Sequence, residues 1–329
     1  MSTPILQLEN LTIGYVSQRP HKVVHSNINL FLKKGELTCL LGTNGAGKST
    51  LLKTLSGFQL GMEGKVFLEG EEIHFISKKK LARKLSVVLT DNIAAGNLTV
   101  YEVVSFGRYV YSDFFGRLSA KDDEMIRYAL DCVGIAHFAQ RNISELSDGE
   151  RQKVMIAKAI AQETPLILLD EPTAFLDLPS RVEIMILLRK LSAENGKTIL
   201  LSTHDLDLAL QLADKIWLMA KKREIVSGTP EDLALSGMFN SFFDKESLSF
   251  DLNTGTFLLN SQSVRKVQLE VEGVTRIWLE KALIRKGYQV CDEAELKIIH
   301  NTDGYRIAFP DAKESFDTIE SLLNHLDSL

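Results

Sequence analysis

Residues 42–50, with the sequence GTNGAGKST, limit the possible folds of this chain more than any other stretch. They match the pattern G-x-x-x-x-G-K-[ST] and lie between a short apolar run and a segment with helical spacing, KSTLLKTLSG. Glycines let the backbone curl so that successive N–H groups point at phosphate oxygens at a helix N-terminus. A strand–loop–helix unit of this kind predicts an α/β protein with a phosphate-binding loop on a mostly parallel sheet.

The positions of this loop fit nucleotide phosphates and a magnesium ion. Lys48 would place a positive charge near the β- and γ-phosphates, and the Ser49 hydroxyl is suited to ligate Mg²⁺. A glycine-rich turn without a ligand is the alternative, and the strand and the helix around the loop argue against it. The predicted nucleotide contacts are Gly42, Thr43, Asn44, Gly45, Ala46, Gly47, Lys48, Ser49 and Thr50.

Five short apolar runs predict the strands of the sheet. They are bounded by glycine or polar residues, as is typical of strands buried on both faces of a parallel sheet. Helical segments alternate with them up to residue 262, and apolar positions at helical spacing predict a helical insertion at about 98–160. The predicted strands are 36–42, 85–89, 166–170, 198–202 and 215–220.

The pattern changes after residue 262. An alternating run, an amphipathic segment that ends on glycine, two runs around the turn NTDG and a last helical segment, AKESFDTIESLLNHL, follow one another. This order predicts a small β-α-β-β-α unit, with a ferredoxin-like sandwich as one candidate fold. We therefore predict two domains, residues 1–262 and 263–329. The role of the second is open, because Cys291 and His300 lack the spacing of metal ligands.

Charge and cysteine content narrow the classes of function. The 329 residues carry a net charge of −5 without a long basic block, which argues against general binding of nucleic acid. The cysteines Cys39, Cys132 and Cys291 are scattered and odd in number, so we expect a reducing compartment without disulfides. We find no signal-peptide pattern and no apolar run near the ~20 residues that cross a bilayer, so a membrane role would need a partner.

Polar residues follow two of the predicted strands. LILLDE ends in Asp170 and Glu171, and TILLSTH ends in His204. The carboxyl ends of strands in open α/β sheets are where ligands bind. Asp170 is suited to hold Mg²⁺ through its water shell, and Glu171 to orient or deprotonate an attacking water. His204 is a candidate γ-phosphate contact. The alternatives are a solvated turn for the two acids and a structural role for the histidine.

A second loop with a glycine, LSDGE at 146–150, opens another helix. The Ser147 hydroxyl and the Gly149 N–H can reach phosphate oxygens, and the positive end of the helix dipole would favour such a contact. Ser147 and Glu150 also fit the capping box S-x-x-E, which gives the loop a purely structural interpretation. Both interpretations can hold at once.

These motifs, in this order, resemble the ATP-binding subunits of ABC transporters. The match comprises the Walker A loop at 42–50, the signature-like LSDGE, the Walker B segment at 166–171, FLD at 175–177 and the switch histidine in STHD. It extends over about residues 5–262. The stretch GNLTVYEVVSFGRY and the segment around LSDGE are most similar to the ATPases of importers for iron-siderophores, haem and cobalamin.

The resemblance implies an ATP hydrolase that uses ATP and Mg²⁺, with Glu171, His204 and Lys48 at its catalytic centre. It implies a head-to-tail homodimer, in which Ser147 and Gly149 of one copy contact the ATP held by the other. It also implies integral membrane permease subunits, which would meet the helical region at about 98–141 and the Thr90 loop, and indirectly a substrate-binding protein. The chain would then be peripheral on the cytoplasmic side of the cell (inner) membrane.

Several positions bear on how closely the chain follows this family. Tyr15 stands where the family stacks an aromatic residue on adenine, and an ordinary strand residue without that role is the alternative. Asp148 and Glu150 replace the usual glycine and glutamine of the signature, and the charge of Asp148 would repel phosphate unless it points away. Thr90 stands where the family places a glutamine that contacts Mg²⁺ and senses the membrane partner. Either Thr90 or Asp91 supplies an oxygen instead, or the coupling to that partner is weaker.

A soluble ABC-type ATPase without a permease, such as a metal-cluster assembly factor, is the alternative function. Translation-type members of the family carry two cassettes on one chain, and DNA-maintenance members carry long coiled coils. This chain has one Walker A loop and no sustained heptads, so neither of those two classes fits.

Overall fold

A computed structural model describes residues 4–15, 21–89, 97–112, 117–243, 248–252, 254–259, 265–301, 304–309 and 312–328. The chain forms two compact units. The first comprises Met1–Phe243 and Leu252–Gly255, and the second comprises Asp244–Asp251 and Thr256–Leu329. Two units were expected from the sequence, and the boundary at residue 262 stays a prediction. Within the described ranges, no helix has the length and apolar character that a membrane span requires.

The first unit combines ten strands with nine α-helices among its described residues. Its strands are β1 Leu6–Tyr15, β2 Lys22–Leu32, β3 Leu37–Gly42, β4 Glu63–Leu68, β5 Glu71–Glu72, β6 Leu85–Val88, β7 Leu166–Leu169, β8 Thr198–Thr203, β9 Lys215–Met219 and β10 Val226–Gly228. Its helices are α1 Lys48–Leu55, α2 Lys78–Leu81, α3 Val100–Ser105, α4 Ala120–Cys132, α5 Asp148–Ala161, α6 Leu178–Ala193, α7 Leu206–Leu212, α8 Pro230–Leu235 and α9 Met238–Phe242.

A six-stranded sheet carries the predicted site. Its strand order is β10-β9-β3-β8-β7-β6, and every neighbouring pair is parallel except β10 with β9. All five strands predicted from apolar runs lie in this sheet, so that prediction is confirmed. Every residue of β3, β7 and β8 is buried, as expected for strands covered on both faces. The carboxyl ends of these three strands meet at one edge.

A second, antiparallel sheet has the order β2-β1-β4-β5 and was not predicted. Register shifts between Leu8 and Leu11 and between Ile13 and Gly14 interrupt the alternation of β1 with β2, which obscures the period of two in the sequence. One apolar core joins both sheets, and it includes Ile13 of β1, Leu51 of α1 and Trp217 of β9.

The predicted helical region contains α3, α4 and α5. Each of these helices begins with a capping box, at Thr99, Ser119 and Ser147, which fixes its first turn locally. Arg108, which follows α3, is 2% exposed and donates to Asp122 of α4 and to the backbone oxygen of Ala161 in α5. One buried guanidinium thus ties the three helices together.

The second unit differs in detail from the predicted β-α-β-β-α order. Its elements are β11 Leu248–Asp251, β12 Thr256–Leu259, β13 Arg265–Glu270, α10 Gly273–Arg285, β14 Tyr288–Val290, β15 Lys297–Asn301, β16 Gly304–Phe309, β17 Ala312–Phe316 and α11 Ile319–Leu326. Strands β11 and β12 form a hairpin, and the others form a mixed sheet of order β14-β13-β15-β16-β17. The hairpin predicted around NTDG is β15–β16.

Two strands of the five-stranded sheet, β14 and β17, were missed, as was the β11–β12 hairpin, and the ferredoxin-like candidate is wrong. The sheet has five strands, and along the chain the unit ends with β17 followed by α11. A ferredoxin-like unit has the order β-α-β-β-α-β instead. Strand β14 has three residues, too few to show a period of two. Residues 312–316 were assigned to the last helix, but they pair with β16, and the helix begins only after the cap Thr318.

Candidate nucleotide-binding site

The phosphate loop joins β3 to α1, as the motif predicts. Gly47 precedes α1 with φ 109°, a backbone conformation that residues with a side chain rarely adopt. A Cβ atom at Gly47 would lie 2.4 Å from Val24 Cγ1, and one at Gly42 would lie 2.1 Å from the backbone oxygen of Met219. Both glycines are therefore required by the fold of the loop itself.

Lys48, Glu171 and His204 converge at this loop. His204 Nε2 lies 2.8 Å from Glu171 Oε1 and 3.1 Å from Lys48 Nζ, and Lys48 Nζ lies 3.7 Å from Glu171 Oε1. The ammonium group of Lys48 can only donate, so it forms a hydrogen bond with His204 Nε2 only when that nitrogen carries no proton. The carboxylate of Glu171 can only accept, so it forms a hydrogen bond with Nε2 only when that nitrogen carries a proton. The two contacts exclude each other as hydrogen bonds, and the cluster has two protonation arrangements.

The ammonium group of Lys48 is held inside the protein. The side chain is buried and donates to the backbone oxygen of Gly42 at 3.0 Å. Burial lowers the pKa of Lys48 below its ordinary value of 10.5, while the negative charges of Glu171 and Asp170 act in the opposite direction. An anionic ligand at the loop would add to that opposing effect and would favour the charged lysine.

Asp170 and Glu171 are linked through a serine that sequence reasoning did not identify. The Ser202 hydroxyl donates to Asp170 Oδ1 at 2.7 Å and accepts from the Glu171 backbone N–H at 2.8 Å. Glu171 has φ 46°, in the left-handed region that glutamate seldom occupies. Ser202 therefore helps to hold a strained backbone that directs two adjacent carboxylates differently. A hydroxyl within the apolar strand TILLST was the signal that could have identified it.

Two more residues support the loop from β1 and β2. The Tyr15 hydroxyl lies 2.8 Å from Thr50 Oγ1, which anchors this half-exposed ring beside α1. The ring of His25, which was not predicted, is buried and its Nε2 lies 3.0 Å from the backbone oxygen of Ala46. Because a carbonyl oxygen only accepts, this nitrogen carries the proton. Thr90 and Asp91, the candidates for the missing glutamine, lie outside the described residues.

The LSDGE loop is held by its own side chains. The Ser147 hydroxyl accepts from the Glu150 N–H, and the Glu150 carboxylate accepts from the N–H and the hydroxyl of Ser147, both at 2.8 Å. Asp148 forms an ion pair with Arg151. A Cβ atom at Gly149 would lie 3.1 Å from Ser180 Oγ, so the backbone passes close to α6. The capping box is therefore formed, and the charge of Asp148 is balanced locally.

Comparisons with known proteins agree with this geometry. The family model described as ABC transporter matches residues 25–174, and the one described as Iron ABC transporter C-terminal domain matches residues 264–327. An uncharacterised ABC transporter ATP-binding protein of Methanocaldococcus jannaschii is 38% identical over 288 residues, which are 87% of this chain and 98% of that protein. This chain belongs to the family of ABC transporter ATP-binding proteins.

Other similar proteins extend this assignment. The iron(3+)-hydroxamate import ATP-binding protein FhuC of Bacillus subtilis is 40% identical to this ABC protein over 238 residues, 72% of this chain and 87% of FhuC. A solved dimeric structure of the ATP-binding cassette MJ0796 in a post-hydrolysis state, bound to ADP and Pi, has a TM-score of 0.58 and 27% identity. The match covers 68% of this chain and 98% of the cassette. The predicted ABC ATPase fold is confirmed, and ATP is the nucleotide of this family.

Proposed function

We propose that this ABC protein hydrolyses ATP as one of two facing copies and thereby drives uptake of an iron chelate through a separate membrane permease. One observation carries the catalytic part of the proposal. Lys48, Glu171 and His204 meet at the phosphate loop, so that a cation, a carboxylate and an imidazole are in place where the γ-phosphate would bind. A lysine at the phosphates and a side chain that positions the attacking water are recurring parts of sites that hydrolyse a phosphoanhydride.

The chemistry follows from these positions. Glu171 orients a water molecule and accepts a proton from it, while the water oxygen forms a bond to the γ-phosphorus. The bond from that phosphorus to the β–γ bridging oxygen breaks, and ADP leaves with the electron pair. Lys48 stabilises the charge that develops on the phosphate oxygens, and His204 holds Glu171 and contacts the γ-phosphate. Binding of ATP would exchange the contact between Lys48 and His204 for contacts with phosphate.

The residues beside the loop fit a magnesium ion. Ser49 lies in the first turn of α1 and offers a hydroxyl, and Asp170 offers a carboxylate that the Ser202 hydroxyl orients. Mg²⁺ takes oxygen ligands and usually keeps several waters, so one carboxylate, one hydroxyl and the phosphates suffice. The ion would neutralise charge on the β- and γ-phosphates. The role of Thr90 as a further ligand stays a prediction.

The partner surfaces follow from the rest of the chain. Ser147 and Gly149 of one copy would contact the ATP held by the other, since the α5 N-terminus favours anions and Arg151 balances Asp148. Tyr15 would stack on adenine.

The helical region would meet the permease on the cytoplasmic side of the cell membrane, and a substrate-binding protein would deliver the cargo. The iron-hydroxamate relative and the iron-transporter match of the second unit support this cargo class.

A glutamate substitution tests the catalytic proposal. Glu171→Gln keeps the size of the side chain and removes the proton acceptor, so ATP turnover should fall by about 10²–10⁴-fold while ATP binding is retained. The variant should accumulate as an ATP-bound dimer, which size-exclusion chromatography would detect alongside an ATPase assay. Glu183→Gln is the matched control, because Glu183 is exposed on α6 and pairs with Lys153. Wild-type turnover in Glu171→Gln would remove Glu171 from its proposed role.

A further inference from the structure

Ser202 brings a hydroxyl into the apolar strand β8, beside the two carboxylates of the site. The side chain is 0% exposed. The parallel pairing of β7 with β8 ends at Leu169 opposite Leu201, so the next residues, Asp170 and Ser202, lie side by side. A buried hydroxyl is costly unless it forms hydrogen bonds, so its partners indicate why the strand carries it.

The Ser202 hydroxyl serves two different groups at once. It donates to Asp170 Oδ1 at 2.7 Å and accepts from the Glu171 backbone N–H at 2.8 Å. A carboxylate only accepts and a backbone N–H only donates, so the directions of both hydrogen bonds are fixed. One oxygen atom therefore joins the carboxylate that would hold Mg²⁺ to the backbone of the residue that would activate water.

The second of these bonds supports an unusual backbone conformation. Glu171 has φ 46°, in a region where residues with a side chain are seldom found. In this conformation the Glu171 carboxylate reaches the His204 ring, with Oε1 2.8 Å from Nε2. Loss of Ser202 Oγ would leave the Glu171 N–H without this acceptor. The backbone would then relax toward ordinary φ values and turn the carboxylate away from His204.

We propose that Ser202 is a positioning residue for both the metal ion and the attacking water, so that one hydroxyl couples Mg²⁺ binding to hydrolysis. This inference rests on the proposed ATPase function and adds a requirement to it. A hydrogen bond to a ligating carboxylate orients it, and loss of such a bond costs about 10–100-fold in metal affinity or activity. Loss of the Ser202 hydroxyl should therefore weaken nucleotide binding only when Mg²⁺ is present.

Nucleotide affinity with and without Mg²⁺ tests the metal part of the proposal and involves no turnover. Calorimetry is carried out with AMP-PNP, an ATP analogue that is not hydrolysed, either in Mg²⁺ or in EDTA. Ser202→Ala should bind AMP-PNP about tenfold more weakly than the wild type in Mg²⁺, and equally well in EDTA. An equal loss under both conditions, or no loss under either, would overturn the proposal. A wild type that does not bind AMP-PNP would contradict the proposed ATPase function itself, and this inference with it.

Ser86→Ala is the matched control for these measurements. Ser86 is a serine of β6 in the same sheet, is 1% exposed and accepts a hydrogen bond from Thr164 Oγ1. Thr164 precedes β7, whereas Asp170 and Glu171 follow it, so this variant removes a buried hydroxyl away from the site. Its AMP-PNP affinity in Mg²⁺ should equal that of the wild type. A tenfold loss in Ser86→Ala as well would show that any cavity in the sheet has this effect.

Hydrogen exchange, resolved to single amides, tests the backbone part in the protein without nucleotide. The Glu171 amide should exchange about two- to tenfold faster in Ser202→Ala, because it loses its acceptor. The Asp170 amide, which donates to the Val88 backbone oxygen, is the internal reference and should not change. Unchanged exchange at Glu171 would show that Ser202 does not hold this backbone.

A conservative variant separates the hydroxyl from the packing of the side chain. Ser202→Thr keeps the hydroxyl and adds a methyl group, whereas Ser202→Ala keeps the small size and loses the hydroxyl. At saturating Mg²⁺ and ATP, kcat should fall about tenfold in Ser202→Ala and recover most of that loss in Ser202→Thr. Thermal melting by circular dichroism checks that both variants are folded. If folded Ser202→Thr is as impaired as Ser202→Ala, the hydroxyl is not the determinant and the proposal is wrong.

Discussion

His25 shows how a single residue outside the motifs supports the phosphate loop. Its buried ring contacts the backbone oxygen of Ala46, inside the loop. Burial lowers the pKa of His25 below its ordinary value of 6.5, and hydrogen bonds to the backbone of Ala46 and Arg223 offset this only in part. Below pH 6.5 the unfolded chain therefore takes up a proton that the folded chain does not. The free energy of unfolding should fall as the pH drops through this range.

Replacing His25 by glutamine should remove this pH dependence. The glutamine amide can still donate to Ala46, but it does not titrate. For each pH unit below pH 6.5, the free energy of unfolding of the variant should therefore fall by up to about 1.4 kcal/mol less than that of the wild type. Urea unfolding at pH 7.5 and pH 5.5 measures the difference. His74→Gln is the control, because His74 is exposed and its loss should leave the dependence unchanged. An identical pH dependence in His25→Gln and wild type would refute the argument.

At the same scale, the sequence allows some site residues to be predicted and conceals others. Lys48 and Glu171 occupy motif positions whose chemistry is readable from spacing and strand ends. Ser202 and His25 act through contacts between strands that are distant in the sequence, since Ser202 of β8 reaches the end of β7 and His25 of β2 reaches the loop after β3. Such pairings depend on strand order, which local patterns do not contain.

Among the structural elements, the helical region depends on a buried ion pair. Arg108 Nε donates to Asp122 Oδ1 at 2.8 Å, and the two side chains are 2% and 6% exposed. Nearby, Arg127 pairs with Asp123 at the same distance, but those side chains are 70% and 41% exposed. Removing one member of a buried pair leaves an uncompensated charge in the interior, whereas water replaces the lost partner at the surface.

The two arginines should therefore respond differently to truncation. Arg108→Ala should cost about 3–5 kcal/mol of local stability, because Asp122 stays buried without its partner. Arg127→Ala should cost about 0–1 kcal/mol, because its pair is solvated. Hydrogen exchange of the α4 amides measures both losses of local stability. Arg108→Ala should also loosen the packing of α3 against α5. Similar exchange rates in the two variants would show that the buried pair does not hold the region together.

Elements with local signals were predicted well, and elements defined by their neighbours were not. The helices α3, α4 and α5 carry their start signals in the sequence, as capping boxes. The five parallel strands were predicted from their continuous apolar sequences. Strand β17, in contrast, has a polar sequence and becomes a strand because β16 pairs with it over five positions. The antiparallel sheet of β1 and β2 was missed because register shifts break its alternation.

For the molecule as a whole, the ATPase site alone does not distinguish a transporter subunit from a soluble ATPase. The surface of the first unit adds an argument. Phe106 and Tyr109 in the helical region are 48% and 72% exposed. Exposed aromatic residues are enriched at protein interfaces, where their apolar rings fill pockets on a partner. They lie in the region that the family resemblance assigns to permease contact, which favours a membrane-bound complex.

Isolation of the native complex tests this prediction. The chain, tagged and recovered from gently solubilised membranes of its own cell, should co-purify with a multi-span permease that mass spectrometry identifies. Lys48→Ala should recover the same permease, because the substitution affects phosphate binding and leaves Phe106 and Tyr109 in place. Phe106→Asp with Tyr109→Asp should reduce recovery while ATP binding persists, since charge in an apolar contact is costly. Recovery of soluble partners alone, with the chain absent from membranes, would favour an assembly ATPase instead.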